Sequence, residues 1–156
     1  VADRPAIIEA DFPLARLTTV GTGGPARWFA RPGDEATLEA CLGWAAVEAV
    51  AVRVVGLGSN LLPADAGFDG LVLRLEGVLA AIAIDGTTVR CGGGASLAAV
   101  VRRATDAGLA GIEFGCAIPG TVGGAVRMNA GAYGHELRDV LLEAAVVSAA
   151  GARRAD

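Results

Sequence analysis

The chain has 156 residues, a length that supports one ordinary domain or two small lobes around a shared core. It is 53% hydrophobic, mostly Ala, Val and Leu, and carries a net charge of −4 with no basic run, which disfavours a nucleic-acid partner. All 13 basic residues are Arg, so Walker-type phosphate binding, Schiff-base chemistry and pyridoxal phosphate anchoring are excluded within the chain.

In chain order, an irregular start gives way to Pro32-Gly33-Asp34, where Asp34 can cap a helix from Glu35 to about Glu48. Leu38, Cys41, Leu42 and Ala45 recur at helical spacing and predict its core face. Val50 to Val55 is short and β-branched and predicts a buried strand. The loop GLGSNLLPADAGFDG follows, then a second strand from Leu71 to Leu75, closing an α/β lobe over residues 1–76. The remainder, 77–156, predicts a second α+β lobe, incomplete at its C-terminal end. Ala80 to Ile84 and Thr87 to Cys91 flank Asp85-Gly86, a hairpin signal for a type I′ turn. Gly92 to Gly94 lead to Ser96, a good N-cap for a helix from Leu97 to Ala107 that Gly108 ends. A glycine-punctuated segment follows. Leu141 to Ala149 is strand-like, with Gly151 in a turn, and the return partner of that strand is expected to lie outside the chain.

The longest charge-free run, Phe114 to Val126, is broken by Pro119 and several glycines, so no membrane-spanning segment is predicted, nor is a secretory signal visible. Cys41, Cys91 and Cys116 are odd in number, lack metal-like spacing, and read as reduced thiols of a cytoplasmic protein. Cys116 in particular reads as a buried structural thiol. The lone His135 reads as a surface residue, Trp28 and Phe29 as packing of the first lobe, and Arg102 and Arg103 as a solvated helix face.

Two stretches invite comparison with a dinucleotide fingerprint. Gly21-Thr22-Gly23-Gly24-Pro25-Ala26 satisfies G-x-G-x-x-A, but an extended segment rather than a helix is predicted after it. Gly56-Leu57-Gly58-Ser59-Asn60-Leu61 follows a strand, but Pro63 and more loop come next. Its two glycines instead suit a backbone nest for a phosphate. Ile118-Pro119-Gly120-Thr121-Val122-Gly123-Gly124-Ala125 is a second such loop and carries no charge, so backbone dipoles rather than Arg would neutralise an anion held by the pair.

The succession of motifs resembles the UDP-N-acetylenolpyruvoylglucosamine reductase (MurB) family. It runs from Thr18-Thr19 and Gly23 to Ala26, through Gly56 to Leu62, Asp65 to Gly70 and Gly108 to Phe114, and is closest over Ile118 to Ala125 and Met128 to Gly134. The resemblance implies an α+β, two-lobed FAD-binding module of the vanillyl-alcohol oxidase/PCMH type, lacking the C-terminal substrate domain. It further implies non-covalent FAD, with Gly56, Leu57, Gly58, Ser59 and Asn60 at the pyrophosphate, Pro119 to Ala125 along the cofactor, Leu61 and Ile118 among the cofactor-binding residues, and Asn129, Gly131, Ala132, Tyr133 and Gly134 at the flavin. NADPH would be the reductant, a nucleotide-sugar the substrate and UDP-N-acetylmuramate, a peptidoglycan precursor, the product. The family's catalytic Arg, Ser and Glu have no counterpart here; Arg153 and Arg154 lack the Tyr-Arg context, and Ala117 stands where a Gly is usual. The chain alone is then expected to be inactive. Other readings are a different flavin-linked oxidoreductase of the same superfamily and a non-catalytic flavin or scaffold module.

Overall fold

The computed structural model describes residues 3–149 and 151–155. Its first half is built on a four-stranded mixed sheet. Strand β1 (Glu9–Pro13) and strand β2 (Pro25–Ala30) are antiparallel, helix α1 (Glu35–Val47) follows, and strands β3 (Ala51–Val54) and β4 (Phe68–Leu73) complete the order β1-β2-β4-β3. Strand β4 runs parallel to both β2 and β3. The chain therefore crosses from β2 over α1 to β3, then returns through a helix-free loop to place β4 between them.

Strand periodicity divides this sheet into two faces. Ala30, Leu71 and Leu73 bury against Leu38, Cys41, Trp44 and Ala45 of α1, where Trp28 and Trp44 meet edge to face at 5.7 Å. On the other face Phe29 and Val72 pack with Phe12, Leu14, Leu17 and Val55, and the Phe12 and Phe29 rings stack at 3.9 Å. Asp34 caps α1 as the sequence predicts, its carboxylate accepting from the Thr37 N–H at 2.7 Å.

The second half uses shorter pieces. Strands β5 (Ile82–Asp85) and β6 (Thr88–Cys91) form a hairpin, and helix α2 (Leu97–Asp106) packs on the turn Glu113–Ala117. Helix α3 (Val122–Met128) leads into a ribbon of β7 (Gly131–Ala132) and β8 (His135–Glu136). Leu97, Phe114, Ala125 and Leu137 form the core here. Strand β9 (Ala144–Ser148) pairs with β10 (Gly151–Ala155), and Val147 packs against the core shared with α1.

Several expectations change. Strand β1 was not legible in the irregular start. Strand β3 is an edge strand rather than a buried one, with Val54 61% exposed. Strand β4 spans Phe68–Leu73 rather than Leu71 to Leu75, and within it Gly70, lacking a Cβ, admits both the Phe68 ring and the Ala51 carbonyl. The β5–β6 loop is Gly86-Thr87, with Gly86 at φ +55 in the first loop position where a type II′ turn takes its glycine. Ser96 makes no side-chain cap; its backbone bridges to Thr121. The return partner of β9 is present as β10, and Gly151 is its first residue rather than a turn.

Two stability outcomes follow. Replacing Trp44 by Ala removes a nearly buried ring from the α1 core and is expected to cost about 3 kcal/mol in chemical denaturation. The backbone and side-chain hydrogen bonds from Thr37 hold the Asp34 carboxyl below its ordinary value. A carboxyl depressed by folding stabilises above its unfolded pKa and loses that contribution as pH falls through the folded pKa. Thermal melts should therefore show Asp34→Ala less stable than the parent at about pH 7, with the gap closing towards about pH 2.

Candidate functional site

The first glycine loop leaves the carboxyl end of β3, and Arg74 to Glu76 leave the adjacent carboxyl end of β4. In open α/β sheets ligands bind outside these carboxyl ends. The backbone of Gly58, at φ +65, lies so close to the Leu17 carbonyl that a Cβ would strike it, and Thr19 donates its N–H to the Gly58 carbonyl at 3.3 Å. Gly56 packs on the Thr121 side chain with no room for a Cβ. Ser59 Oγ donates to the Pro119 carbonyl at 2.7 Å. The two glycine loops, 60 residues apart at this bond, are thus in direct contact.

The second loop is pinned from the opposite side. Leu97 N–H donates to the Gly120 carbonyl at 3.0 Å and Val122 N–H to the Ala95 carbonyl at 2.8 Å, forming the bridge between Ser96 and Thr121. Gly123 N–H donates to the Gly93 carbonyl at 2.8 Å. Two donors from the segment expected to solvate an anion are therefore consumed inside the fold. Gly120 and Gly124 differ from their neighbours: a Cβ on either would meet nothing closer than 3.9 Å and 3.7 Å respectively.

Between these elements lies a cleft of about 890 Å³. Gly56 and Leu57 line one wall, Gly93, Gly94, Thr121, Gly123 and Gly124 another, and Arg53, Arg74, Glu76 and Arg127 its charged rim. Sequence reading missed Gly93, Gly94 and all three arginines. The glycines were read only as a lead-in to α2, and the arginines are scattered over β3, the end of β4 and α3. Ser59, Asn60, Leu61, Ile118, Pro119, Gly120, Val122 and Ala125 flank this wall without lining the cleft itself. The volume is that of a pocket for a large organic ligand. With bare backbone on two walls and cations at the rim, the residues present fit a dinucleotide such as FAD.

The third predicted segment lies elsewhere. Tyr133 and Gly134, both at positive φ (54 and 83), form the two-residue loop of the β7–β8 ribbon, as a type I′ turn requires. Asn129, left-handed at the end of α3, gives its side chain to local structure, donating to Glu136 Oε2 at 2.8 Å and accepting from Arg138 N–H at 3.1 Å. Gly131 must be bare because the His135 carbonyl lies 2.7 Å from where its Cβ would sit; Ala132 pairs with His135. Tyr133 instead borders a second cavity of about 750 Å³ with Glu113, Phe114, Cys116, His135 and Asp139.

Cys116 is exposed there, not buried as predicted, because the turn Glu113–Ala117 buries Phe114 and Gly115 and turns its remaining residues outward. Burial pushes the Cys41 and Cys91 thiols up, keeping both protonated. Backbone N–H groups of Glu113 and Gly111 hold the Glu113 carboxyl low, with a smaller contribution from His135. His135 is exposed, as expected. Arg102 and Arg103 are exposed too, but Arg103 also donates to the Ile82 carbonyl at 2.8 Å, tying α2 to β5. Among the described residues no acidic, His or Cys cluster could hold a metal ion, and no helix is long and apolar enough to cross a membrane.

Known proteins share this architecture. The UDP-N-acetylenolpyruvoylglucosamine reductase 2 of Symbiobacterium thermophilum is 48% identical over 143 residues, 92% of this chain and 46% of that protein. The corresponding reductase of Rhizorhabdus wittichii is 50% identical over 149 residues, 94% of this chain and 48% of that one. The chain spans about half the length of the curated relatives it matches. The crystal structure of the reductase (MurB) from Thermus caldophilus superposes with a TM-score of 0.78 at 33% identity, covering 95% of this chain and 51% of its own. A solvent-stable cholesterol oxidase superposes with a TM-score of 0.71 at 20% identity, over 97% of this chain and 34% of its own, and shows the fold alone. The fold is accordingly the α+β FAD-binding fold of the vanillyl-alcohol oxidase/PCMH type. Residues 26–155 match the family described as FAD binding domain, and over that span the chain belongs to it.

Proposed function

We propose that the chain is the FAD-binding portion of an NADPH-dependent UDP-N-acetylenolpyruvoylglucosamine reductase, a cytoplasmic flavoprotein of peptidoglycan synthesis. The observation that carries this reading is the meeting of two glycine loops, through Ser59 and Pro119 and through Gly56 and Thr121, beside a cleft at the carboxyl ends of β3 and β4. The similarity to the reductases over nine-tenths of the chain supports the choice of parent reaction.

In this reading residues 1–76 and 77–156 act as two lobes with FAD held non-covalently between them. Bound FAD would supply the hydride chemistry that carries electrons from NADPH to the enolpyruvyl group of a nucleotide-sugar. The chain's own residues bind and orient. Gly124, which lines the cleft, offers bare backbone for close approach of the cofactor, while Gly56, Gly58 and Gly123 fix the loop geometry that makes this approach possible. Gly56 to Leu61 and Ile118 to Ala125 form and brace the cofactor wall, and Asn129 to Gly134 shape the flavin end through the β7–β8 ribbon. No residue of the chain is assigned a catalytic step, so the chain alone turns over no substrate. The remaining half of the parent protein would supply the substrate domain.

The test is the visible spectrum of the purified chain after incubation with FAD and desalting. Retained flavin absorbance is expected, and a folded but colourless chain would sink the reading. Gly124→Leu should keep the fold, because a Cβ there makes only ordinary van der Waals contact with Thr121, yet weaken FAD by about tenfold or more by filling the cleft beside it. Gly58→Ala should behave in the opposite way. Its Cβ would strike the Leu17 carbonyl in a left-handed backbone, so a loss of about 2 kcal/mol or more in folding stability is expected in chemical denaturation.

A further inference from the structure

We propose that Arg127, with Arg53 and Arg74 behind it, forms a cationic clamp for the diphosphate of the flavin dinucleotide. The proposal rests on the FAD reading above and identifies which groups neutralise the cofactor's charge. Part of the backbone cradle is already spent, since the N–H groups of Val122 and Gly123 serve the Ala95 and Gly93 carbonyls. A diphosphate diester carries two negative charges, and a cleft that takes it from water must return comparable electrostatic stabilisation.

The rim supplies it. Its charged residues are Arg53, Arg74, Arg127 and Glu76, so three positive charges face one negative one in a protein whose net charge is −4. Glu76 is itself neutralised, by Arg31 at 3.5 Å and Arg74 at 3.8 Å. The Arg53 guanidinium donates to the Val52 carbonyl at 3.0 Å and lies 5.7 Å from the Phe68 ring centre, which leaves its charge uncompensated by any carboxylate. Arg127 has neither an ion pair nor a side-chain hydrogen bond among the described residues. It sits three and four residues after Gly124 and Gly123, on the face of α3 that those glycines present to the cleft. The helix thus carries a free guanidinium beside the bare backbone where the ligand can approach. Arg suits this place better than Lys because its planar fork meets phosphate oxygens with two parallel hydrogen bonds.

The test is a titration of the purified chain with FAD and separately with riboflavin, followed by flavin fluorescence at low and high salt. Arg127→Gln is expected to weaken FAD roughly fivefold to tenfold at low salt, with less loss at high salt, where screening already weakens the parent. Riboflavin, which has no phosphate, should bind parent and variant alike. Arg102→Gln, on the exposed face of α2 outside the cleft, should leave both ligands unchanged and so controls for net charge. Equal FAD affinity in Arg127→Gln and the parent overturns the clamp. So does an equal loss for FAD and riboflavin, which would mark Arg127 as a packing residue. Loss of binding to ADP-ribose with FAD binding intact also overturns it, by assigning the cation to a second nucleotide. A parent chain that binds no FAD at all refutes the underlying reading instead.

Discussion

The contact on which the cleft depends is the close approach of bare glycine backbone to its neighbours. Gly56 lies against Thr121 and Gly123 against Gly93, and neither pair leaves room for a Cβ. The Ser59–Pro119 hydrogen bond at 2.7 Å fixes the register of that contact, but one such bond contributes only about 1 kcal/mol net. The stronger constraint is steric. A methyl group at Gly56 would drive the two loops apart, and with them the carboxyl end of β3 and the start of α3, while one at Gly123 would part α3 from the Gly93 backbone. Cleft width is therefore set by what these residues lack.

That view separates the glycines into two kinds. Gly56, Gly58, Gly92, Gly94 and Gly123 are bare because the protein's own carbonyls or side chains occupy the space. At Gly120 and Gly124 a Cβ would make only ordinary van der Waals contact. A glycine-rich motif is easily read as a ligand cradle throughout, yet most of these positions serve the fold and only the second kind can serve a ligand's approach directly. The same economy appears in the β7–β8 ribbon, where positive φ at Tyr133 and Gly134 and the committed amide of Asn129 hold a tight turn together without any ligand.

Local signals were legible in the sequence, while relations between distant segments were not. The Asp34 cap, the apolar face of α1 and the approximate span of α2 follow from side-chain chemistry within a turn or two, and the structure has them. Strand β1 escaped because the segment EADFP is half polar, and it becomes a strand only by pairing with β2. Strand β3 looked buried because β-branched composition reports strand geometry, not the number of neighbours; its free edge faces the cleft. The two glycine loops were found, but their contact, and the part played by Gly93 and Gly94, needed the fold. Cys116 was misplaced because exposure in a short turn depends on which neighbours, here Phe114 and Gly115, take the interior.

The arginines were illegible for the same reason and change the electrostatics most. A chain with 13 Arg, 17 acidic residues and no basic run offers no sequence-level sign of an anion site. The fold nevertheless draws Arg53, Arg74 and Arg127 from three separate elements to one rim, and Arg31 helps to silence the one carboxylate there. All of the cleft's walls come from residues between Val52 and Arg127. Under the proposed reading, capture of the cofactor is therefore the work of this chain, with Asn129 to Gly134 adding the flavin end, while the groups that act on substrate lie in the other half of the parent protein. Such a division requires the cleft to be shaped before the other half contributes, and the close contacts of Gly56 with Thr121 and of Gly123 with Gly93 shape it from within the span that lines it.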